Sequence, residues 1–511
     1  MPPFGRRAFR CAVMLLGAAM PASPAVAQLI SIKTVPIAQG DQFLIFPSDN
    51  LGLGGVSIAL ADSLLDPFVN PALGSRVAGA RFFSAPTVYS VSHGTGGGRS
   101  LPVAALARHG NWYGGLALAL QQVEPSRPPD QGGVIFSPLP QVDDPRLIPA
   151  DGRAHGNRYA FAMIGTAFPG RRLSIGASAF WTGLRAVDGV DLLYADSRRV
   201  EQQGHALDLR LGVLKDWPGE RGHRSLQALL LHNRFAADHE VIYADRFWDP
   251  ASELFRERAR VEENHERTNT WGLQVKYEMP IGADGWRIGW LGTFNRASHP
   301  KIPEYELANV PVIPRDPGYS SAFNFGVGVS RVRGAATFGA DLIYEPIRSY
   351  TWADAAAPLV IAAGDTLAAG AKTVENWFSF SNVLLRFGVG RDIALNGLGK
   401  AVGLQFGLIV RSTHYDLEQI DHVVRAERSL TTGWLEWTPT WGLSLRFPEF
   451  ELRYRGRVTH GAGRPGVQAV FGPVNEMRLA GATILAAPSG PLMLTDVSTT
   501  THQISLSLPL H

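Results

Sequence analysis

From about residue 80 to the C-terminus, apolar and polar side chains alternate with a period of two, and few folds accommodate such a pattern over 430 residues. In 206–213, Leu207, Leu209, Leu211 and Val213 share one face, and Asp208, Arg210 and Gly212 the other. In 450–458, Phe450, Leu452, Tyr454 and Gly456 oppose Glu451, Arg453, Arg455 and Arg457. In the last stretch Ile504, Leu506, Leu508 and Leu510 oppose Ser505, Ser507 and Pro509. Successive side chains of a β-strand point to opposite sides of the sheet, so this pattern predicts strands, not helices. The candidate strands are about ten residues or more, enough to cross a bilayer at a tilt, whereas strands of soluble sheets average about five or six.

The links between strands alternate as well. Short links at 109–110, 169–171, 218–223, 282–285, 334, 392–398 and 448–449 take turns with long ones at 123–156, 186–202, 238–267, 298–320, 351–374, 414–432 and 461–500. An outer-membrane barrel has short periplasmic turns, longer extracellular loops and both termini on the periplasmic side. The alternation predicts 16 antiparallel strands in a single transmembrane β-barrel over 80–511. Tryptophans near strand ends, such as Trp112, Trp271, Trp290, Trp377 and Trp437, fit an interfacial girdle. The 238–267 link is dense in charge, and a short amphipathic helix is a candidate there.

Composition removes the main alternatives. Beyond the first 27 residues no stretch of about 18 apolar residues lacks charges or Pro/Gly breaks, so a polytopic helical membrane protein is excluded. Residues 1–27 read as an export signal. Arg6, Arg7 and Arg10 are its positive start, Cys11–Met20 its apolar stretch and Ala25-Val26-Ala27 its cleavage site. The net charge of +3 belongs to those three arginines, since bases and acids are equal in number without them. A neutral mature chain does not suit a nucleic-acid binder. The single cysteine lies in the signal, so the mature chain has no disulfide, thiol nucleophile or thiolate metal site. There is no catalytic motif such as Gly-x-Ser-x-Gly, His-Glu-x-x-His or a phosphate loop. The expectation is no enzyme, no cofactor and no metal.

Residues 28–79 do not alternate. They hold Leu51-Gly52-Leu53-Gly54-Gly55-Val56-Ser57-Ile58-Ala59-Leu60-Ala61-Asp62, then Asp66-Pro67-Phe68-Val69-Asn70-Pro71-Ala72. Gly52, Gly54 and Gly55 permit positive φ and close backbone approach. Asn70 before Pro71 can hold a tight turn through its own side chain. A glycine-rich stretch, an alanine-rich piece and Asn70-Pro71-Ala72 just before the first strand resemble the hatch of the FadL family of outer-membrane transporters for long-chain fatty acids and aromatic hydrocarbons. A related branch resembles the PorV-type secretion proteins. The resemblance implies a 14-stranded barrel with residues 28–79 as a hatch in its lumen, against the 16 strands of the link alternation. It implies uptake of a hydrophobic small molecule with an exit through a kinked early strand, for which Gly114 and Gly115 are candidates. The PorV-type alternative implies a sealed platform for secretion or surface assembly.

Further candidates come from the residues themselves. Arg453, Arg455 and Arg457 face the lumen, as an ion-pair ladder or as a head-group site. The long links 353–371 and 479–494 carry apolar residues, among them Leu359, Ile361, Ile484, Leu485, Leu492 and Met493, which could gather a greasy ligand. Expected partners are outer-membrane lipid and lipopolysaccharide, the apolar ligand and the assembly machinery, with the protein a monomer in the outer membrane of a Gram-negative cell.

Overall fold

Among the described residues, sixteen strands pair their backbone donors and acceptors with sequence neighbours around a closed ring, as seen in a computed structural model. The structure describes residues 41–94, 96–124, 141–142, 155–189, 197–220, 222–282, 284–299, 305–307, 310–313, 318–355, 358–361, 364–395, 400–465 and 494–510. The strands are β1 (Ala80–Ser84 and Thr87–Val91, one strand interrupted at 85–86), β2 (Gly97–His109), β3 (Trp112–Glu124), β4 (His155–Phe168), β5 (Leu173–Leu184), β6 (Ser197–Trp217), β7 (Arg224–Asp249) and β8 (Leu254–Ile281). They continue as β9 (Trp286–His299), β10 (Gly318–Arg333), β11 (Ala336–Asp354), β12 (Lys372–Leu395), β13 (Lys400–Asp421), β14 (Ala426–Arg446), β15 (Glu451–Pro465) and β16 (Leu494–Leu510). Each ring strand pairs antiparallel with the next, and β1 closes the ring on β16, with Ala80 opposite Leu510 and Thr87 opposite Gln503. The count is 16, as the link alternation predicts; the 14 implied by resemblance is corrected.

Closure leaves no free sheet edge, the condition for placing β-structure in hydrocarbon. The two faces differ as the alternation requires. Leu116, Leu118 and Leu120 on β3, Leu209 and Leu211 on β6, Phe323, Phe325 and Val327 on β10, and Phe406 and Leu408 on β13 are exposed on the outside. Their neighbours in sequence point inward and are buried or half-buried. This is the construction of an outer-membrane barrel.

Two predicted loops are strands. The 238–267 link is the upper part of β7 and β8, 26 and 28 residues long, paired continuously from Ser225 opposite Glu278 to Asp249 opposite Leu254. No helix forms there, because every residue outside the 250–253 turn finds a cross-strand partner. The 414–432 link is likewise the upper part of β13 and β14, closed by a turn at 422–425. A bilayer crossing uses about 9–11 residues, so both hairpins project beyond the membrane. Residues 1–40, which include the predicted signal, lie outside the described residues.

Candidate functional site

Residues 41–78 run across the barrel interior near the short-turn end, and the wall is shaped to receive them. Gly176 on β5, Gly212 on β6, Gly289 on β9, Gly339 on β11, Gly388 on β12 and Gly407 on β13 all point inward. A Cβ at any of them would fall less than 3.0 Å from an atom of Leu53–Ala72. These six strands each give up a side chain where the segment passes. In the sequence these glycines look like ordinary breaks in alternation; their shared height becomes visible only once the register is fixed.

The segment is held internally by Asp62. Its carboxylate accepts from Ser48 Oγ at 2.5 Å, Asp49 N at 2.9 Å and Leu65 N at 3.0 Å, and its amide donates to Asp66 Oδ2 at 2.9 Å. Asn50 Nδ2 donates to the carbonyls of Val56 and Ala61 at 2.9 and 3.2 Å. Gly54 and Gly55 have φ of +69° and +66°, the left-handed region that glycine adopts without strain. Gly52 sits close under Gln405 and Gly442. Asn70 Oδ1 accepts from Ala72 N at 3.1 Å and caps the 3-10 turn Pro71–Arg76. The six residues singled out in the sequence thus each carry a turn, a cap or a close approach in this segment. Burial pushes the carboxyl of Asp62 above the usual range, aided by nearby Asp49. Burial likewise raises Asp66 to about 7, against the opposing charge of Lys276.

One side of the segment meets the wall through charge. Arg457 Nε donates to Asp41 Oδ2 at 2.6 Å, and Thr501 Oγ1 donates to the same carboxylate. Arg453 Nε lies 3.1 Å from Asp49 Oδ1. Asp341 Oδ2 accepts from Ser57 N at 2.8 Å, Arg386 Nη1 donates to Gly55 O at 3.1 Å, and Lys276 Nζ donates to Ser57 O at 2.7 Å. Arg210 is clamped by Asp208 at 2.8 Å and donates to the carbonyls of Phe68 and Val69. Arg453 and Arg457 are therefore engaged by the segment's own carboxylates, and Arg455 donates to the carbonyls of Leu443 and Tyr454. The expected wall ladder is present as well, since Arg453 also pairs with Glu451, and Glu451 and Asp392 both pair with Arg446; the segment's carboxylates add a wall-to-segment clamp to it.

The opposite side meets β1–β5 through aromatic packing. Phe68 stacks on Phe46 with ring centres 4.1 Å apart and meets Phe83 and Phe161 at 5.5 and 5.0 Å. Leu106, Tyr113 and Met163 complete the cluster. Beside this seam the wall has a weak point. The β1 interruption at Ala85–Pro86 faces Leu101–Pro102 on β2, since Ser84 pairs with Val103 and Thr87 with Ser100. Two prolines in one short stretch of ladder remove two N–H donors. At Gly114 and Gly115 the picture is different. Gly115 pairs with Leu106 and Met163, and Gly114 with Ala107 and Ile164, with no shift of register. The wall is continuous at this pair, and Gly115 makes room for the Leu106 side chain.

Towards the long-turn end, the lumen carries a second apolar patch of Ala322, Ile347, Phe378, Phe380, Tyr415 and Leu417, against which Leu430 and Trp434 pack. These residues occupy inward positions, so the lumen is not uniformly polar. Below the patch, Asn382 donates to Glu345 at 3.0 Å, with Arg411 3.9 Å from the same carboxylate. Of the loop residues expected to gather ligand, Leu359 is exposed on a two-residue hairpin with Thr366–Leu367 and Ile361 is buried. Ile484, Leu485, Leu492 and Met493 lie outside the described residues.

No family model matches the sequence, and no curated protein matches it. Solved structures do match. The chain is similar to the Ralstonia pickettii toluene transporter TbuX, at 11% identity over 90% of this chain and 97% of that one, with a TM-score of 0.35. It is similar to a Pseudomonas aeruginosa FadL homologue at 12% identity, over 93% and 100%, with a TM-score of 0.43. It is also similar to the FrpB iron transporter from Neisseria meningitidis, at 11% identity over 85% and 82%, with a TM-score of 0.31. Likenesses this distant carry no argument about function, which has to come from the chain's own residues.

Proposed function

We propose that this protein is an outer-membrane channel for hydrophobic small molecules, with residues 28–79 acting as a hatch. The observation that carries the reading is the aromatic seam: Phe46 and Phe68 of the segment against Phe83, Phe161 and Met163 of the wall. An apolar solute entering this seam replaces one apolar contact by another and exposes no buried charge. Fatty acids and aromatic hydrocarbons, the substrates suggested by the resemblance, are of this kind. The upper patch around Phe378, Phe380 and Tyr415 supplies an earlier apolar resting place. The paired prolines at Pro86 and Pro102 border the seam and offer a place for sideways exit into the membrane.

The test is uptake of labelled oleate and labelled toluene by proteoliposomes. Phe161→Glu places a carboxylate in the seam and is expected to cut uptake of both by more than about tenfold, equivalent to about 1.4 kcal/mol, with the barrel still heat-modifiable on gels. Unchanged uptake would overturn the reading. The platform alternative has one observation in its favour: the β7–β8 hairpin runs roughly 50 Å along its strands beyond the apolar band, roughly 38 Å along the membrane normal at a tilt of about 40°, and exposes Trp248 and Phe255 near its tip. Shortening that hairpin should leave uptake intact in a channel and abolish partner capture in a platform.

A further inference from the structure

Four outward-facing aromatic residues lie where a membrane protein has little use for them. Tyr319 on β10, Tyr350 and Trp352 on β11, and Trp377 on β12 form one contiguous group on the outside of three adjacent strands. Ring centres are 5.5 Å apart for Tyr319 and Tyr350, 5.1 Å for Tyr350 and Trp352, and 5.2 Å for Tyr350 and Trp377. Tyr319 and Trp377 are 49% and 37% exposed, far above the core rings.

Their height separates them from the interfacial girdle, Trp377 included, although its place near a strand end suggests a girdle residue in the sequence. On β11 the outward apolar residues end at Pro346, and Arg348 follows as an exposed charge. On β10 the outward residue between Phe323 and Tyr319 is Ser321, and on β12 Ser381 and Ser379 separate Val383 from Trp377. Tyr350 is four residues beyond Pro346, about 13 Å along the strand and about 10 Å along the membrane normal at a tilt of about 40°. A girdle sits at the edge of the apolar band. This group stands above a polar belt, at the level of head-group sugars rather than acyl chains.

The polar groups around it are those that sugar recognition uses. Lys372 Nζ donates to Tyr350 Oη at 2.5 Å and to Glu375 Oε2 at 2.7 Å, and lies over the rings of Tyr350 and Trp352. Tyr350 Oη donates to Glu375, and His422 Nε2 is 3.0 Å from Glu375 Oε1. The network holds the Tyr350 ring in place and borders the rings with a carboxylate, an ammonium and an imidazole. Arg348 lies one outward position below.

We propose that this group is a docking surface for the core oligosaccharide of lipopolysaccharide, the sugar-bearing lipid of the outer leaflet. Aromatic faces stack on the C–H faces of pyranose rings and bury apolar area at low conformational cost. Glu375, His422 and Lys372 meet the hydroxyls, and Arg348 and Lys372 meet the core's phosphates. The inference rests on outer-membrane placement but not on transport, so it fails independently of the channel reading.

The experiment is native mass spectrometry of the purified full chain, titrated with two probes: lipopolysaccharide with a complete core, and a truncated form reduced to lipid A and its first sugars. The complete form is expected to bind about tenfold more tightly, equivalent to about 1.4 kcal/mol. Tyr350→Ala with Trp377→Ala should erase that preference, whereas Phe325→Ala, within the apolar band, should retain it. Equal binding of the two forms by the unmodified protein would overturn the proposal without any variant. So would a preference that survives the double substitution in a barrel shown by heat-modifiability to be folded.

Discussion

The two sides of the N-terminal segment are held to the same barrel by different physics. Towards β10–β16 the contacts are directional: Arg457 with Asp41, Arg453 with Asp49, and Asp341 with two backbone amides. Towards β1–β5 they are the stacked rings of Phe46, Phe68, Phe83 and Phe161. Parting the first side exposes buried charges whose attraction depends on a low dielectric, and each unpaired ion costs several kcal/mol. Parting the second loses apolar area, which a greasy solute restores, and two side-chain hydrogen bonds to backbone carbonyls, Gln121 to Gln42 and Arg108 to Ser75. On the proposed hatch reading, the first side would serve as a hinge post and the second as a door edge.

Breaking the post should have the largest effect. Arg457 and Asp41 are nearly inaccessible, with side-chain exposures of 3% and 8%. Arg457→Met removes the cation and leaves the carboxylate with the Thr501 hydroxyl. A cost of about 3–5 kcal/mol to the seating of the segment is expected. Planar-bilayer recordings should then show large ion-conducting openings that the unmodified protein lacks. Silence at the same protein density would remove the post from the comparison.

Loosening the door edge should give a different phenotype. Phe68→Ala deletes the ring that meets three others, at a cost of about 3 kcal/mol if the site does not collapse. Because no charge is uncovered, the expectation is altered flux of hydrophobic solute with little ionic conductance. If Phe68→Ala conducts ions as freely as Arg457→Met, the two sides do not differ in kind.

The segment's acidic interior adds a pH dependence. Asp66 holds its proton up to about pH 7, chiefly because it is buried, while a free carboxyl of this type titrates at 3.8. Asp62 and Glu278 face it with like charge and Lys276 with opposite charge; Arg76 and Arg287 lie near Glu278 at 3.8 and 3.6 Å. With its proton held more tightly when seated, Asp66 favours the seated form at low pH, and that support is lost as pH rises from about 4 through 7. Protease access to the segment should therefore increase from pH 5 to pH 8 and level off above. Asp66→Asn, neutral at every pH and still able to accept from Asp62 N, should flatten the curve. An unaltered slope would assign the dependence to another group.

How much of this is legible in the sequence follows from how local each signal is. Period-two alternation is read residue by residue, so the ring, its 16 strands and the inward set Arg453, Arg455 and Arg457 show in the order of amino acids alone. The partners of those arginines do not, because Asp41 and Asp49 lie some 400 residues away with nothing in local pattern to link them. The hairpin of β7 and β8 is hidden because its upper half is dense in charge on both strands, and the short buried apolar stretch of Val241, Ile242 and Tyr243 is too brief to carry the alternation through it. The inward glycines and the Pro86–Pro102 juxtaposition depend on register, which is set only when the ring closes. The turn residues Gly54, Gly55 and Asn70 are legible because their chemistry acts within two or three positions.

Asn70 gives the finest test of whether the segment's folding or its anchoring governs the seat. Its Oδ1 accepts from Ala72 N, and the same side chain lies against Gly212, whose missing Cβ leaves it space. Asn70→Ala removes the cap and costs about 1 kcal/mol, without touching either the arginine clamp or the aromatic rings. Gly212→Ala pushes on the same atoms from the wall. If the turn matters only as local structure, the two substitutions should add in a thermal unfolding series. If the cap and the glycine form one joint, the second should cost little once the first has emptied the space, because the crowding atom is gone. A coupling near zero would place the hinge post in the arginines alone, and a coupling comparable to the cap energy would extend it to the Asn70–Gly212 contact.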